Sequence, residues 1–117
     1  MATVRKRNVY KRTTPDKKTE KAVLNFINRC RKKLGKEPIT KISKGYKKRP
    51  YSCPIARSIS DDSYTSVSAQ YNSKKKVAFV TFLNLENLPR EDGGVMVARF
   101  MKRFDEGGYP DLEIKHD

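Results

Sequence analysis

The segment Lys44-Gly45-Tyr46-Lys47-Lys48-Arg49-Pro50-Tyr51 interleaves four cations with two aromatic residues. That mixture suits a nucleic-acid strand: Lys44, Lys47, Lys48 and Arg49 can neutralise phosphates while Tyr46 or Tyr51 stacks on a base or sugar. The alternative for the two tyrosines is that both pack on the edge of the core. Two further cationic groups lie upstream. Arg5, Lys6, Arg7, Lys11 and Arg12 could form an arm that enters a minor groove or follows the backbone. Lys17, Lys18, Lys21, Arg31 and Lys32 fall on the polar arc of an expected helix. Neutralising about six phosphates of duplex DNA would make log K fall against log salt with a slope of about −5. No side chain that reads base edges bidentately is identifiable, and phosphate contacts position a protein without specifying a sequence.

Other residues capable of chemistry offer less. Cys30 and Cys53 are the only cysteines and His116 the only histidine, too few to fill a tetrahedral zinc site without carboxylate help. Cys30 falls on an apolar helix stripe, where a thiol behaves as a small core residue. Cys53 opens a short helix, a position that can lower a thiol pKa, but a cysteine nucleophile needs a positioned base and the lone His116 lies at the chain end. A structural role is the expectation for both. Asp61-Asp62, Glu91-Asp92 and Asp105-Glu106 are adjacent pairs, and adjacency does not aim two carboxylates at one atom. They read as a helix-breaking turn, a helix-start dipole partner and a surface helix end. Gly93-Gly94 and Gly107-Gly108 match neither phosphate-cradling glycine pattern. The expectation is a non-enzymatic protein with no metal and no cofactor.

Charge and length frame these residues. The chain has 117 residues, 27 Lys+Arg against 13 Asp+Glu, and a formal net charge of +14. With 36% hydrophobic and 9% aromatic residues it can build one modest core, which excludes a two-domain enzyme. Residues 1–50 hold 18 Lys+Arg and only Asp16, Glu20 and Glu37 as acids, a balance of +15, whereas residues 51–117 balance at −1. A surplus confined to one half creates a one-sided field that attracts DNA, RNA or anionic lipid. The plainer reading is a solvated charged face with a disordered tail. No stretch has the roughly 18 consecutive apolar residues of a spanning helix, and the charged Met1–Arg7 start has no apolar segment behind it. A soluble, unsecreted, cytoplasmic protein without integral membrane association is therefore expected.

The elements that must position these residues follow from periodicity. Residues 1–13 have no apolar period and read as a flexible basic arm. Thr14-Pro15-Asp16 predicts a helix start with Thr14 as cap, Pro15 in the first turn and Asp16 complementing the positive end, and Gly35 is the stop. Between them Ala22, Val23, Phe26, Ile27, Cys30 and Leu34 make one apolar stripe. Residues 36–51 read as an extended connector punctuated by Pro38, Gly45 and Pro50, with Ile39 and Ile42 turned to the core. A short helix follows, capped by Ser52, with Ile55, Ala56 and Ile59 inward. Tyr64–Tyr71 alternates as a half-buried strand and Lys76–Leu83 is the second strand of an antiparallel hairpin turned at Asn72–Lys75. Pro89-Arg90-Glu91-Asp92 carries the proline and acids of another helix start, weakened by Gly93-Gly94, and Val97, Ala98, Met101 and Phe104 continue at helical spacing to Gly107-Gly108. Residues 113–117 read as a frayed tail. The sum is a small α+β domain over residues 14–112, a β-hairpin packed against two main helices and one short helix.

Two stretches, Ser52-Cys53-Pro54-Ile55-Ala56-Arg57-Ser58-Ile59 and Phe100-Met101-Lys102-Arg103-Phe104-Asp105-Glu106-Gly107-Gly108-Tyr109-Pro110-Asp111-Leu112, together resemble a family of small proteins from actinobacteria and their tailed phages, with Leu34-Gly35-Lys36-Glu37-Pro38 fitting upstream. The resemblance implies a phage-encoded protein in a bacterial cytoplasm and carries no activity or site. Packing would account for these motifs, closing the short helix on the hairpin and wrapping Phe100, Phe104, Tyr109 and Leu112 onto the core. The sequence thus favours electrostatic binding of DNA or RNA through the cationic half. The alternative is a phage-encoded interaction module that docks on an acidic host protein, steered by the same field. A membrane-surface role for the first helix would compete with the core for its apolar stripe.

Overall fold

The computed structural model describes residues 13–61, 67–82 and 90–114. The arm residues Arg5, Lys6, Arg7, Lys11 and Arg12, the start of the first expected strand and His116 lie outside the described residues. Helix α1 spans Lys17–Lys33 and α2 Pro54–Ser60; strands β1, Val67–Asn72, and β2, Val77–Phe82, precede a short strand β3, Glu91–Asp92; helix α3 spans Val95–Asp105 and a 3-10 turn covers Pro110–Leu112. The fold is the expected α+β domain, with one difference in its sheet: the hairpin is extended to three antiparallel strands in the order β1-β2-β3.

Each helix start shows which group reaches the unpaired amides. Asp16, not Thr14, caps α1: its carboxylate accepts from the Thr19 amide at 2.9 Å and its carbonyl takes the Glu20 amide. Cys53, not Ser52, caps α2, its Sγ accepting from the Ala56 amide at 3.5 Å. Glu91-Asp92 forms β3 instead of a helix start, because Val80 and Phe79 of β2 offer an open ladder opposite Glu91 and Asp92, and the helix begins after Gly94. Gly35 and Gly107 follow α1 and α3 at φ of 73° and 85°, the left-handed conformation that suits glycine beyond a helix end.

The core collects one face from each element. Val23, Phe26, Ile27 and Cys30 of α1 are buried, as are Ile55, Ala56 and Ile59 of α2. Ala78, Val80 and Phe82 alternate inward from β2, and Val97, Phe100 and Phe104 close the core from α3. Helix α3 lies on β1 and β2, α1 packs on α3 and α2, and Phe100 stacks on the buried Tyr109 ring at 5.3 Å.

The connector 36–53 is pinned along its length. The Asn28 side chain donates to the Ile39 carbonyl and accepts from its amide, mimicking a strand partner from the side of α1. Ser58 accepts from the Ser43 amide, and Arg57 donates to the Lys44 carbonyl. Gly45 donates to the Leu112 carbonyl and accepts from the Ile114 amide, each at 2.9 Å, so residues 113 and 114 of the expected frayed tail are paired in an isolated parallel bridge.

Candidate nucleic-acid interface

Arg31 leaves the set of expected phosphate contacts. Its side chain is 6% exposed, with Nε donating to the Glu37 carbonyl at 2.6 Å, Nη1 donating to the Ser58 carbonyl at 2.8 Å, and an ion pair to Asp61. It is the buried polar tie between α1, the connector and α2. Its position on the polar arc was legible, but the way α2 packs over that end of the arc was not. Lys36 also reaches Asp61, and these two cations hold the Asp61 carboxyl below its ordinary value. Across the helix, Arg29 and Lys33 both pair with Glu91; burial opposes ionisation there, and the two cations outweigh it to hold Glu91 below the usual carboxylate range. Acids from the near-neutral half thus neutralise cations of the basic half.

The other expected contacts fall into two groups. Lys17, Lys18 and Lys21 are exposed on the first turns of α1, whereas exposed Lys32 lies ~21 Å further along the axis at 1.5 Å per residue. Residues 44–51 form a tight loop closed by Tyr46 N–H to the Ser52 carbonyl and Ser52 N–H to the Arg49 carbonyl. Arg49 stacks on the Tyr46 ring at 5.0 Å, which occupies one ring face, while Tyr51 is 51% exposed. Lys47 pairs with Glu113 at 3.6 Å. Lys44 and Lys48 are exposed, and Lys48 adopts φ 60°, held by its amide donating to the Asp105 carboxylate at 2.8 Å. The root of the arm is tied to the same region: Thr13 hydrogen-bonds Asp111, one residue from Leu112, whose carbonyl takes the Gly45 amide.

Helix α3 supplies cations that the sequence reading passed over. A shallow cleft of about 330 Å³ lies between the first turn of α1 at Thr19 and Arg99, Lys102 and Arg103. A second of about 300 Å³ lies on the other flank of α3, where Arg99 and Lys102 meet Lys76 and Tyr71. Tyr71 also lines a third, of about 300 Å³, whose rim carries Lys48 and Arg49. Arg99 and Lys102 wall both of the first two clefts and Tyr71 both of the last two, so the three lie side by side from α1 across α3 to the 44–51 loop. The i, i+3, i+4 spacing of Arg99, Lys102 and Arg103 was the available signal, but at a helix C-terminus it reads first as dipole complement.

Both thiols are buried. Burial, reinforced by Glu91, pushes Cys30 up to about 12, and burial pushes Cys53 up to about 11 in spite of the helix amides beside it. Among the described residues no three His, Cys, Asp or Glu side chains are grouped to hold a metal, and no helix is long and apolar enough to cross a membrane. Against protein-family models, curated proteins and solved structures, the chain has no match.

Proposed function

We propose that this protein is a non-enzymatic nucleic-acid binder that holds phosphates electrostatically along the track formed by α1, α3 and the 44–51 loop. The observation that carries the reading is the adjacency of these clefts: Lys76, Arg99, Lys102, Lys48 and Arg49 line three neighbouring clefts that share walls. Lys17, Lys18 and Lys21 flank one end, and Arg5, Lys6, Arg7, Lys11 and Arg12, outside the described residues, precede Thr13 in sequence and would add to the same charge. Asp61 and Glu91 are engaged at the opposite end of α1, whereas Glu106 pairs with Lys102 at 3.0 Å and Asp105 lines the cleft beside Lys48, so the cations outnumber the acids along these clefts without being free of them.

Fluorescence anisotropy of a 20-base-pair duplex across a salt series tests this. About six phosphate contacts give a slope near −5, and each lost contact lowers its magnitude by about 0.9. Lys47/Lys48/Arg49→Ala should flatten the slope by about 2.7 and Arg99/Lys102→Ala by about 1.8. Slopes unchanged in both variants would remove the track as the binding surface.

A further inference from the structure

Resting on that reading, we infer that the cleft under the Lys48–Arg49 turn receives one unstacked base of a single-stranded segment and selects guanine through Asp105. The cleft encloses about 300 Å³ between α2, β1 and α3, room for one planar base. Its walls are mainly apolar: Pro54, Ala69, Met101 and Phe104 line it with only their edges exposed, so a ring would meet their edges. Asp105 and the partly exposed Tyr71 are polar groups in this wall. Lys48 and Arg49 stand at the rim, where phosphates on either side of an inserted base would lie.

The carboxylate decides among occupants. An apolar side chain filling the cleft would strip water from Asp105 without replacing its hydrogen bonds. A cationic side chain would satisfy Asp105 but meet Lys48 and Arg49 at the entrance. A nucleotide answers both, because it places N–H donors inside and phosphate outside. Asp105 Oδ1 accepts from the Lys48 amide and the carboxylate also takes a hydrogen bond from the Tyr71 side chain, which together orient it and use two of its roughly four acceptor positions, leaving two for a ligand. Guanine presents N1–H and N2–H side by side, matching two carboxylate oxygens. Cytosine and adenine present one amino donor beside a ring acceptor. Uracil presents N3–H between two carbonyls that would face the carboxylate. The left-handed backbone of Lys48 is held by the same contact with Asp105, so loop and selector form one unit.

The test compares UUGUU with UUUUU RNA by anisotropy at fixed low salt, read as the ratio of the two affinities within each protein. The wild type should favour UUGUU about tenfold, and Asp105→Asn should reduce the ratio to about twofold or less. Methyl NMR of the wild type provides a readout that needs no variant: guanosine 5′-monophosphate should shift Met101 and Ala69, and uridine 5′-monophosphate should not. Tight binding of both RNAs with a ratio near one, or equal shifts from both nucleotides, would overturn the base pocket and leave the electrostatic reading standing. Absence of binding to either RNA and to duplex DNA would overturn both.

Discussion

Replacing Arg31 by alanine separates a structural cation from a binding one. The guanidinium donates to the Glu37 and Ser58 carbonyls and pairs with Asp61, and it is 6% exposed. Hydrogen bonds from a charged donor contribute about 1.5 kcal/mol or more each, and two carbonyls lose that donor. The Asp61 pair adds little because that carboxylate is 52% exposed and regains water when the cation is removed. The sum is a loss of about 3 kcal/mol, a large part of the ~5–15 kcal/mol that holds such a domain together. That corresponds to about 10–15 °C in Tm for a chain of this size. Urea denaturation followed by circular dichroism, with duplex-DNA salt titrations on the same preparation, measures both consequences. Arg31→Ala should lower stability by that amount and leave the salt slope unchanged. Arg31→Lys should recover only part of it, because one ammonium cannot span three separated acceptors. Lys32→Ala, at the exposed neighbouring position, should alter stability by less than about 0.5 kcal/mol. A stability loss under about 1 kcal/mol combined with a slope flattened by about 0.9 would refute the reasoning and return Arg31 to the binding face.

Four further outcomes follow from the structure. Gly45→Ala should cost about 3 kcal/mol in urea denaturation, since its Cβ would meet the Pro54 nitrogen at 2.4 Å and the Cys53 carbonyl carbon at 2.5 Å, both backbone atoms. Asp16→Ala should cost about 1 kcal/mol and Thr14→Ala under about 0.5, distinguishing the true cap by thermal denaturation. Because Glu91 and Asp61 ionise more readily folded than unfolded, their stabilisation is complete above their ordinary values of 4.5 and 3.8 and is lost as pH falls below them. Glu91→Gln should therefore be less stable than wild type at pH 7 and show a shallower decline between about pH 5 and 3. At pH 8, a Cys53 pushed from 9.0 to about 11 has about a hundredfold less thiolate than an ordinary cysteine, so iodoacetamide should label it at least that much more slowly in native protein than in urea. Equal rates would contradict its burial.

Elements governed by local pattern were legible. The α1 stripe places Val23, Phe26, Ile27 and Cys30 in the core and Gly35 ends the helix, while on β1 Val67 and Ala69 are buried as alternation expects but so is Ser68, and Tyr71 is only half-buried. The caps lie two residues later than expected in α1 (Asp16, not Thr14) and one residue later in α2 (Cys53, not Ser52), because where the backbone turns into the helix decides which side chain reaches an unpaired amide. Glu91-Asp92 has the composition of a helix start and becomes a strand because β2 stands beside it with an unfilled edge.

The candidate site divides in the same way. Composition and order alone determine the +14 charge, its concentration in residues 1–50 and the alternation of cations and tyrosines at 44–51. Only the tertiary structure decides which cations acquire an acidic partner, because pairing depends on distance in space and not along the chain. Asp61, Glu91 and Glu113 of the near-neutral half come to rest beside Arg31, Lys36, Arg29, Lys33 and Lys47 of the basic half. Folding also gathers Arg99 and Lys76 on one flank of α3 near Lys48 and Arg49, with Asp105 in the same cleft as Lys48 and Arg49, and pairs Lys102 with Glu106. Coulomb energy falls with separation and is screened beyond about 8–10 Å, so a charge sum over sequence halves describes the field at a distance, and the packed neighbours of each cation decide its role.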